Sequence, residues 1–142
     1  MAGHRDFARV YRENAILTAS PGHLVLLMFD GALRSMALAH AAFERPKADI
    51  RRIEVINREL LKAQAIFAEL RGNLDHSVGS DFAKTMDGLY AYYIRKLTEA
   101  NLRKSVEPLA EVEGLFKVVR DAWAEMLRNQ EAEEPMRVAA GQ

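Results

Sequence analysis

The sequence predicts an all-α protein: an antiparallel, up-and-down four-helix bundle with an N-terminal segment packed on it. Three observations predict it. Apolar residues recur at steps of three or four along four separate stretches, the spacing of a buried helix face. No stretch alternates with period two over any length, so strands are not indicated. The breaks between the stretches, at residues 44–47, 72–80 and 104–108, carry Pro and Gly and are short enough to favour antiparallel neighbours.

The first helix opens at Ser20 and Pro21. Serine is a good N-cap, and proline suits the first helical position, where its missing N–H has no partner to lose. Its stripe is Leu26, Phe29, Leu33, Met36, His40 and Phe43. The second stripe is Ile53, Ile56, Leu60, Ala63, Phe67, Leu70 and Leu74. The third follows a cap at Ser80 and early negative charge at Asp81, and runs Phe82, Met86, Leu89, Tyr93, Leu97, Ala100. Ser105 and Glu107 repeat that logic ahead of Leu109, Val112, Phe116, Val119, Trp123 and Met126. Each stretch of roughly 21–25 residues is about 32–38 Å long as a helix. The bundle therefore spans residues 20–129. Residues 1–19 form an N-terminal segment too short for an independent fold, and residues 130–142 a frayed helix end and polar tail.

Composition narrows the function classes. Lys+Arg and Asp+Glu are both 20, so the formal charge is zero, which argues against nucleic acid as the main partner. At 49% hydrophobic and 28% charged, the chain has the composition of a folded globular protein. The longest purely apolar run is residues 24–29, too short to span a bilayer, and the first residues lack an apolar signal core. With no cysteine there is no disulfide framework and no thiolate chemistry. Together these features predict a cytoplasmic protein.

Catalytic constellations are not found. A bundle can hold metal through Glu-x-x-His motifs, but none of His4, His23, His40 and His76 has Glu three positions before it, and no two lie four apart. His40 alone lies on a stripe; as a phosphotransfer histidine it would want a nearby lysine and glycine, and Ala41, Ala42, Phe43 and Glu44 follow instead. A half-buried structural histidine is the simpler account. Asp30 has no second carboxylate or nucleophile beside it, so it reads as solvent-facing or hydrogen-bonded, with Gly31 allowing a close helix approach. No phosphate-cradling glycine motif occurs.

What remains is a surplus of apolar residues. Leu24, Val25, Leu27 and Met28 flank the first stripe, Val55, Leu61 and Ile66 the second, Tyr90, Tyr92 and Ile94 the third, and Leu115, Val118 and Leu127 the fourth. Either the core stripe is wide with scattered exposed hydrophobes, or the surplus forms apolar grooves for a partner. Pattern alone leaves both open. A bundle with spare apolar surface and no chemistry suits a helix-binding module.

Local strings then carry a family resemblance. Residues 11–31 (YRENAILTASPGHLVLLMFDG), 89–101 (LYAYYIRKLTEAN), 111–115 (EVEGL) and 120–123 (RDAW) closely resemble successive parts of the flagellar secretion chaperone FliS family. The resemblance runs from about residue 7 to residue 128. It departs at Ala91 and at Tyr93 and Ile94, where family members often read Leu-Tyr-Asp-Tyr-Met; the turn at 45–49 and the tail after Arg128 lie outside it.

The resemblance implies an antiparallel helical bundle without enzymatic activity or cofactor. It also implies binding of the disordered C-terminal segment of newly made flagellin in the cytosol, which prevents premature polymerisation and aids delivery to the flagellar type III export gate. The family's N-terminal segment can cover part of the apolar surface, so Phe7, Val10, Tyr11, Ile16 and Leu17 are expected to form a displaceable cover. Client helices are expected on Leu61, Ile66, Tyr90, Ile94, Leu115 and Val118, and Trp123 in the core. Asn101 is expected to cap or bridge helix ends. Energetics agree with apolar recognition: ordering a client costs roughly 1–2 kcal/mol per residue, which ion pairs at about 0–1 kcal/mol each do not offset. Burial of ~1,000–3,000 Å² at about 25 cal/mol per Å² does. The alternatives are a phosphotransfer bundle using His40, or a structural bundle that dimerises through its apolar face. A client-free chaperone is expected as a monomer or a swapped dimer.

Overall fold

The computed structural model describes residues 20–78 and 81–140. Four helices follow in order: α1 (Pro21–Phe43), α2 (Arg52–Gly72), α3 (Asp81–Arg103) and α4 (Val106–Ala140), with a 3-10 turn at His76–Val78 before α3. No strand occurs among the described residues. Residues 1–19, including the expected cover residues, and the expected cap Ser80 lie outside the described residues.

The caps act where the residue types require. The Ser20 side chain accepts from the His23 backbone N–H at 3.3 Å, with Pro21 next in line. At the first turn of the chain, Arg52 of α2 donates to the Phe43 carbonyl at 3.3 Å and stacks over the Phe43 ring, satisfying an orphan carbonyl at the end of α1. α3 ends on Lys104, whose φ of 50° is left-handed, and the Ser105 N–H returns to the Ala100 carbonyl at 3.1 Å. The Lys104 ammonium donates to the Asn101 carbonyl at 2.7 Å, which secures an unusual conformation for a residue with a Cβ. α4 continues without interruption past residue 130, through Pro135, to Ala140.

Each helix packs on two neighbours, in the cyclic order α1, α2, α3, α4, and the α3–α4 contact is the smallest of the four. Polar rungs show the antiparallel sense. Between α2 and α3 they are Asn57 with Asn101 (2.9 Å), Gln64 with Thr98 (3.1 Å) and Arg71 with Asp87 (2.7 Å). Asn101 thus bridges helices. Between α1 and α4 they are Gly22 with Trp123 (2.9 Å), Asp30 with Arg120 (2.7 Å) and His40 with Glu113 (2.5 Å).

At the centre, one aromatic side chain from each helix meets the others. Phe116 contacts Phe29, Phe67 and Tyr93 edge-on, at centroid distances of 5.0, 4.9 and 5.5 Å. All four are essentially fully buried. Ala32, Ala39, Ala42, Ala63 and Ala100 are buried around them and allow the backbones close approach.

The buried faces are rotated from the expected stripes. α1 buries Phe29, Ala32, Ser35, Met36, Ala39 and Ala42, leaving Leu26, Leu33 and Phe43 half-buried. In α3 it is Tyr90, not Phe82 or Leu89, that joins the core. In α4 the lower stripe passes through Ala124 and Leu127 rather than Val119, Trp123 and Met126. Small residues drive this: alanine faces let helices approach most closely, so the core centres on them and larger neighbours move to the rim. Gly31 is not the close approach expected; a Cβ there would meet Ile66 at an ordinary 3.5 Å. Gly22 is, since a Cβ would lie 2.6 Å from Leu127.

α1 is more apolar on average than its longest uninterrupted run suggests. α1 contains an 18-residue window of mean hydropathy 1.4, long and apolar enough to cross a bilayer by those criteria. Asp30 and Arg34 interrupt its apolar runs while leaving the average high. In the bundle this apolarity serves packing against α2 and α4.

Phe67→Ala is expected to cost about 3–5 kcal/mol in urea unfolding, because the cavity opens at the aromatic junction. A cost under about 1 kcal/mol, the range of ordinary surface substitutions, would contradict this packing. The Arg71 hydrogen bond holds the Asp87 carboxyl below its ordinary pKa. That pair therefore stabilises the fold above the unfolded carboxyl value, near about 4, and its contribution is lost as pH falls through the folded value. Asp87→Asn should be slightly less stable than the parent at neutral pH, with the gap closing in acid.

Candidate functional site

Exposed apolar side chains concentrate along the edges of the bundle. A strongly apolar opening, about 340 Å³, lies between α3 and α4 and is lined by Phe82, Met86, Val118, Ala122, Trp123 and Met126, with Phe29 and Val119 beneath. Val118 is 70% exposed and Phe82 53%. Trp123 shapes the floor. Its indole N–H donates to the Gly22 carbonyl at 2.9 Å, its ring stacks on Phe82 at 6.3 Å, and it meets Phe29 edge-on at 6.0 Å. The wide indole, anchored towards α1, stands between α3 and α4, the neighbouring pair with the least contact. Further up the same edge, Tyr92 donates to Glu111, and Leu115 lies one turn below Glu111 on the α4 face that leads to Val118.

A second groove, about 770 Å³, lies between α1 and α2, with Leu27, Leu38, Ala65 and Ile66 among charged neighbours. A third, about 430 Å³, lies along α3 beside Ile94, Thr98 and Leu102. Leu61 is one turn from both Asn57 and Gln64, which bond to α3, so it borders the same α2–α3 edge.

The six residues expected to hold a client thus do not share one surface. Val118 and Leu115 lie along the α3–α4 edge, Ile66 in the α1–α2 groove, and Leu61 and Ile94 near the α2–α3 edge. Tyr90 is 3% exposed and sits in the core beside Phe67, so a partner cannot touch it as the helices stand. Phe82, Met126, Leu27 and Leu38 are also exposed apolar residues, outside the expected client set. Phe82 lies in the first turn of α3, stacked on Trp123 and exposed on its outer side.

The polar candidates are all engaged. His40 Nδ1 lies 2.5 Å from Glu113 and Nε2 3.9 Å from Glu44. Two carboxylates would repel an incoming phosphoryl group, so the imidazole acts as a strut between α1 and α4. Asp30 receives two bonds from Arg120, at 2.7 and 3.3 Å, which raise the arginine's pKa further. Among the described residues no group of three His, Cys, Asp or Glu could hold a metal ion. The surfaces can therefore bind apolar side chains, and burying them yields about 25 cal/mol per Å².

Burial pushes the Tyr90 phenol up to about 12, with Tyr93 adding to the shift. The neutral phenol therefore stabilises the fold below the unfolded value near about 10, and that stability is lost as pH rises towards the folded value. Tyr90→Phe should reduce the loss of stability between about pH 10 and 12, followed by phenolate absorbance and circular dichroism; unchanged alkaline behaviour would place Tyr90 in solvent.

Residues 4–130 match the family described as flagellar protein FliS. The flagellar secretion chaperone FliS of Bacillus subtilis (strain 168) is 34% identical over 120 residues, covering 84% of this chain and 85% of that protein. Its counterpart in Salmonella typhimurium (strain LT2) is 31% identical over 125 residues, covering 88% and 90%. That of Escherichia coli (strain K12) is 32% identical over 126 residues, covering 88% and 89%. These relatives are named as chaperones, a non-enzymatic class, and over this length and at this identity the chain belongs to the FliS family of flagellar proteins.

Proposed function

We propose that this protein is a cytoplasmic flagellar export chaperone that binds the disordered C-terminal segment of flagellin as helix, prevents its premature polymerisation, and aids its delivery to the type III export gate. The observation that carries this reading is the α3–α4 trough, apolar and open to solvent, on a bundle where Asp30 and His40 are engaged by Arg120 and Glu113. A client helix laid along it would bury Phe82, Leu115, Val118 and Met126, while Trp123 keeps the floor rigid through Gly22. Apolar recognition tolerates a mobile chain that must later be released, because no single directional bond has to be broken. Residues 1–19, with Phe7, Val10, Tyr11, Ile16 and Leu17, would serve as a displaceable cover over the same kind of surface.

Titration with a C-terminal flagellin peptide of about 40 residues, by calorimetry with parallel circular dichroism, tests the proposal. Saturable binding near one-to-one, gain of helix and a negative heat-capacity change are expected. Val118→Ser with Leu115→Ser should weaken binding about tenfold or more with little loss of stability, since both side chains are exposed in the free protein. A peptide from the same organism that neither binds nor gains helix would overturn it.

A further inference from the structure

The edge between α2 and α3 carries apolar side chains that neither the core nor the α3–α4 trough uses. Leu102 is 82% exposed, Leu61 49%, and Ile94 is half-buried. On α3, Ile94, Thr98 and Leu102 follow one another at steps of four along an opening of about 430 Å³, so they form one stripe. The Gln64 amide donates to Thr98 at 3.1 Å, which places this stripe beside α2, and Leu61 stands one turn before Gln64. Ala65 and Ala68 continue the Leu61 face with exposed side chains small enough for another helix to lie close. Positive charge borders the stripe. Arg58 and Lys62 share one carboxylate, Glu59, at 3.6 and 3.4 Å. Lys96 and Arg103 share another, Glu99, at 3.6 and 3.5 Å. Arg95 has no carboxylate partner among the described residues and lies over the Tyr92 ring at 5.5 Å. Glu54, one turn before Arg58, is the remaining acidic residue along residues 54–65 and 91–103. The edge is therefore positive in a chain with no net charge, whereas the α3–α4 trough is lined without a charged side chain.

We infer that the α2–α3 edge docks an amphipathic helix of a partner protein whose apolar stripe is flanked by aspartate or glutamate, and that it does so separately from the trough. Leu61, Ile94 and Leu102 supply the affinity, and the cations select the partner. An uncharged helix makes the apolar contacts but leaves Arg95 unmatched, and a basic one is repelled. Exposed ion pairs are individually weak, so the selection comes from Arg58, Arg95 and Arg103 acting together. Two copies of this chain meeting edge to edge would set these same cations against one another, which disfavours self-association here. The inference does not rest on the chaperone reading, because the edge and the trough share no residue. Leu61 and Ile94, expected to hold a client, serve this second helix instead.

The test uses three synthetic helices of about 18 residues, five turns, that share one leucine stripe and differ only in flanks of glutamate, glutamine or lysine. Fluorescence anisotropy measures each against the full chain, Leu102→Ser, Arg95→Glu and Val118→Ser. The glutamate peptide should bind the parent about tenfold tighter than the lysine peptide, with the glutamine peptide between them. That gap should shrink in about 1 M salt, where the screening length is about 3 Å. Leu102→Ser should weaken the glutamate peptide about tenfold. Arg95→Glu should bring the glutamate and lysine peptides within about threefold of each other. Val118→Ser, which alters only the trough, should leave the gap as it is. Equal affinities of the three peptides, no saturable binding of the glutamate peptide below about 1 mM, or a gap that survives both Leu102→Ser and Arg95→Glu would overturn the inference. So would dimerisation of the parent in sedimentation that Leu102→Ser abolishes, since a second copy would then occupy the edge. Leu102 and Arg95 are exposed, and thermal unfolding verifies that their variants keep the fold. A flagellin peptide that fails to bind counts against the client's identity, while the glutamate–lysine comparison still decides the edge.

Discussion

The bundle depends on Phe116. Its ring touches an aromatic side chain from each of the other three helices, so a single residue of α4 sets the spacing of all four. Edge-on aromatic contacts have a preferred geometry, worth about 0.5–1.5 kcal/mol each beyond the area they bury. Four helices joined through one such junction cannot rotate independently. The alanines around it then decide which faces come closest, and the larger apolar residues are left at the rims.

That division of labour produces the surfaces on which function is argued. Because the junction is central, stability does not require α3 and α4 to close on each other at the Trp123 end. The indole is tied to Gly22 across α1 instead, and Phe82 and Val118 are left half or more exposed. A chaperone needs apolar surface that stays open without the bundle collapsing on it. Here the rigidity comes from the opposite side of α4, where Asp30–Arg120 and His40–Glu113 fix the register against α1. Asp30 and His40, which the linear sequence leaves without catalytic partners, are spent on alignment.

Much of this was legible before the fold. Ser20 and Pro21 announce the start of α1, the breaks fall where the helices end, and the three-and-four spacing is a direct consequence of helical pitch. Phe29, Met36, Phe67, Tyr93 and Phe116 were legible as core because they lie on the apolar stripes of their helices. The site was less legible. Tyr90 and Phe82 exchange roles: Tyr90, from the flank of the expected stripe, is buried, and Phe82, from the stripe itself, is exposed, although they are of similar size. A stripe wide enough to hold both does not say which of its edges meets a neighbour.

The sequence by itself determined the helices, their order, their antiparallel sense and the family, because caps, breaks, periodicity and ordered motifs are local properties of the chain. Only the tertiary structure decided the rotation of each helix about its axis. Rotation follows from how two opposed faces pack, and small residues such as Ala39 and Ala63 win the closest contacts whatever the hydropathy of their neighbours. The burial of Glu59 is the clearest case. As a charged residue between Arg58 and Lys62 it reads as part of a solvated face, yet the rotation of α2 places it on the wall of a groove with one oxygen unpaired.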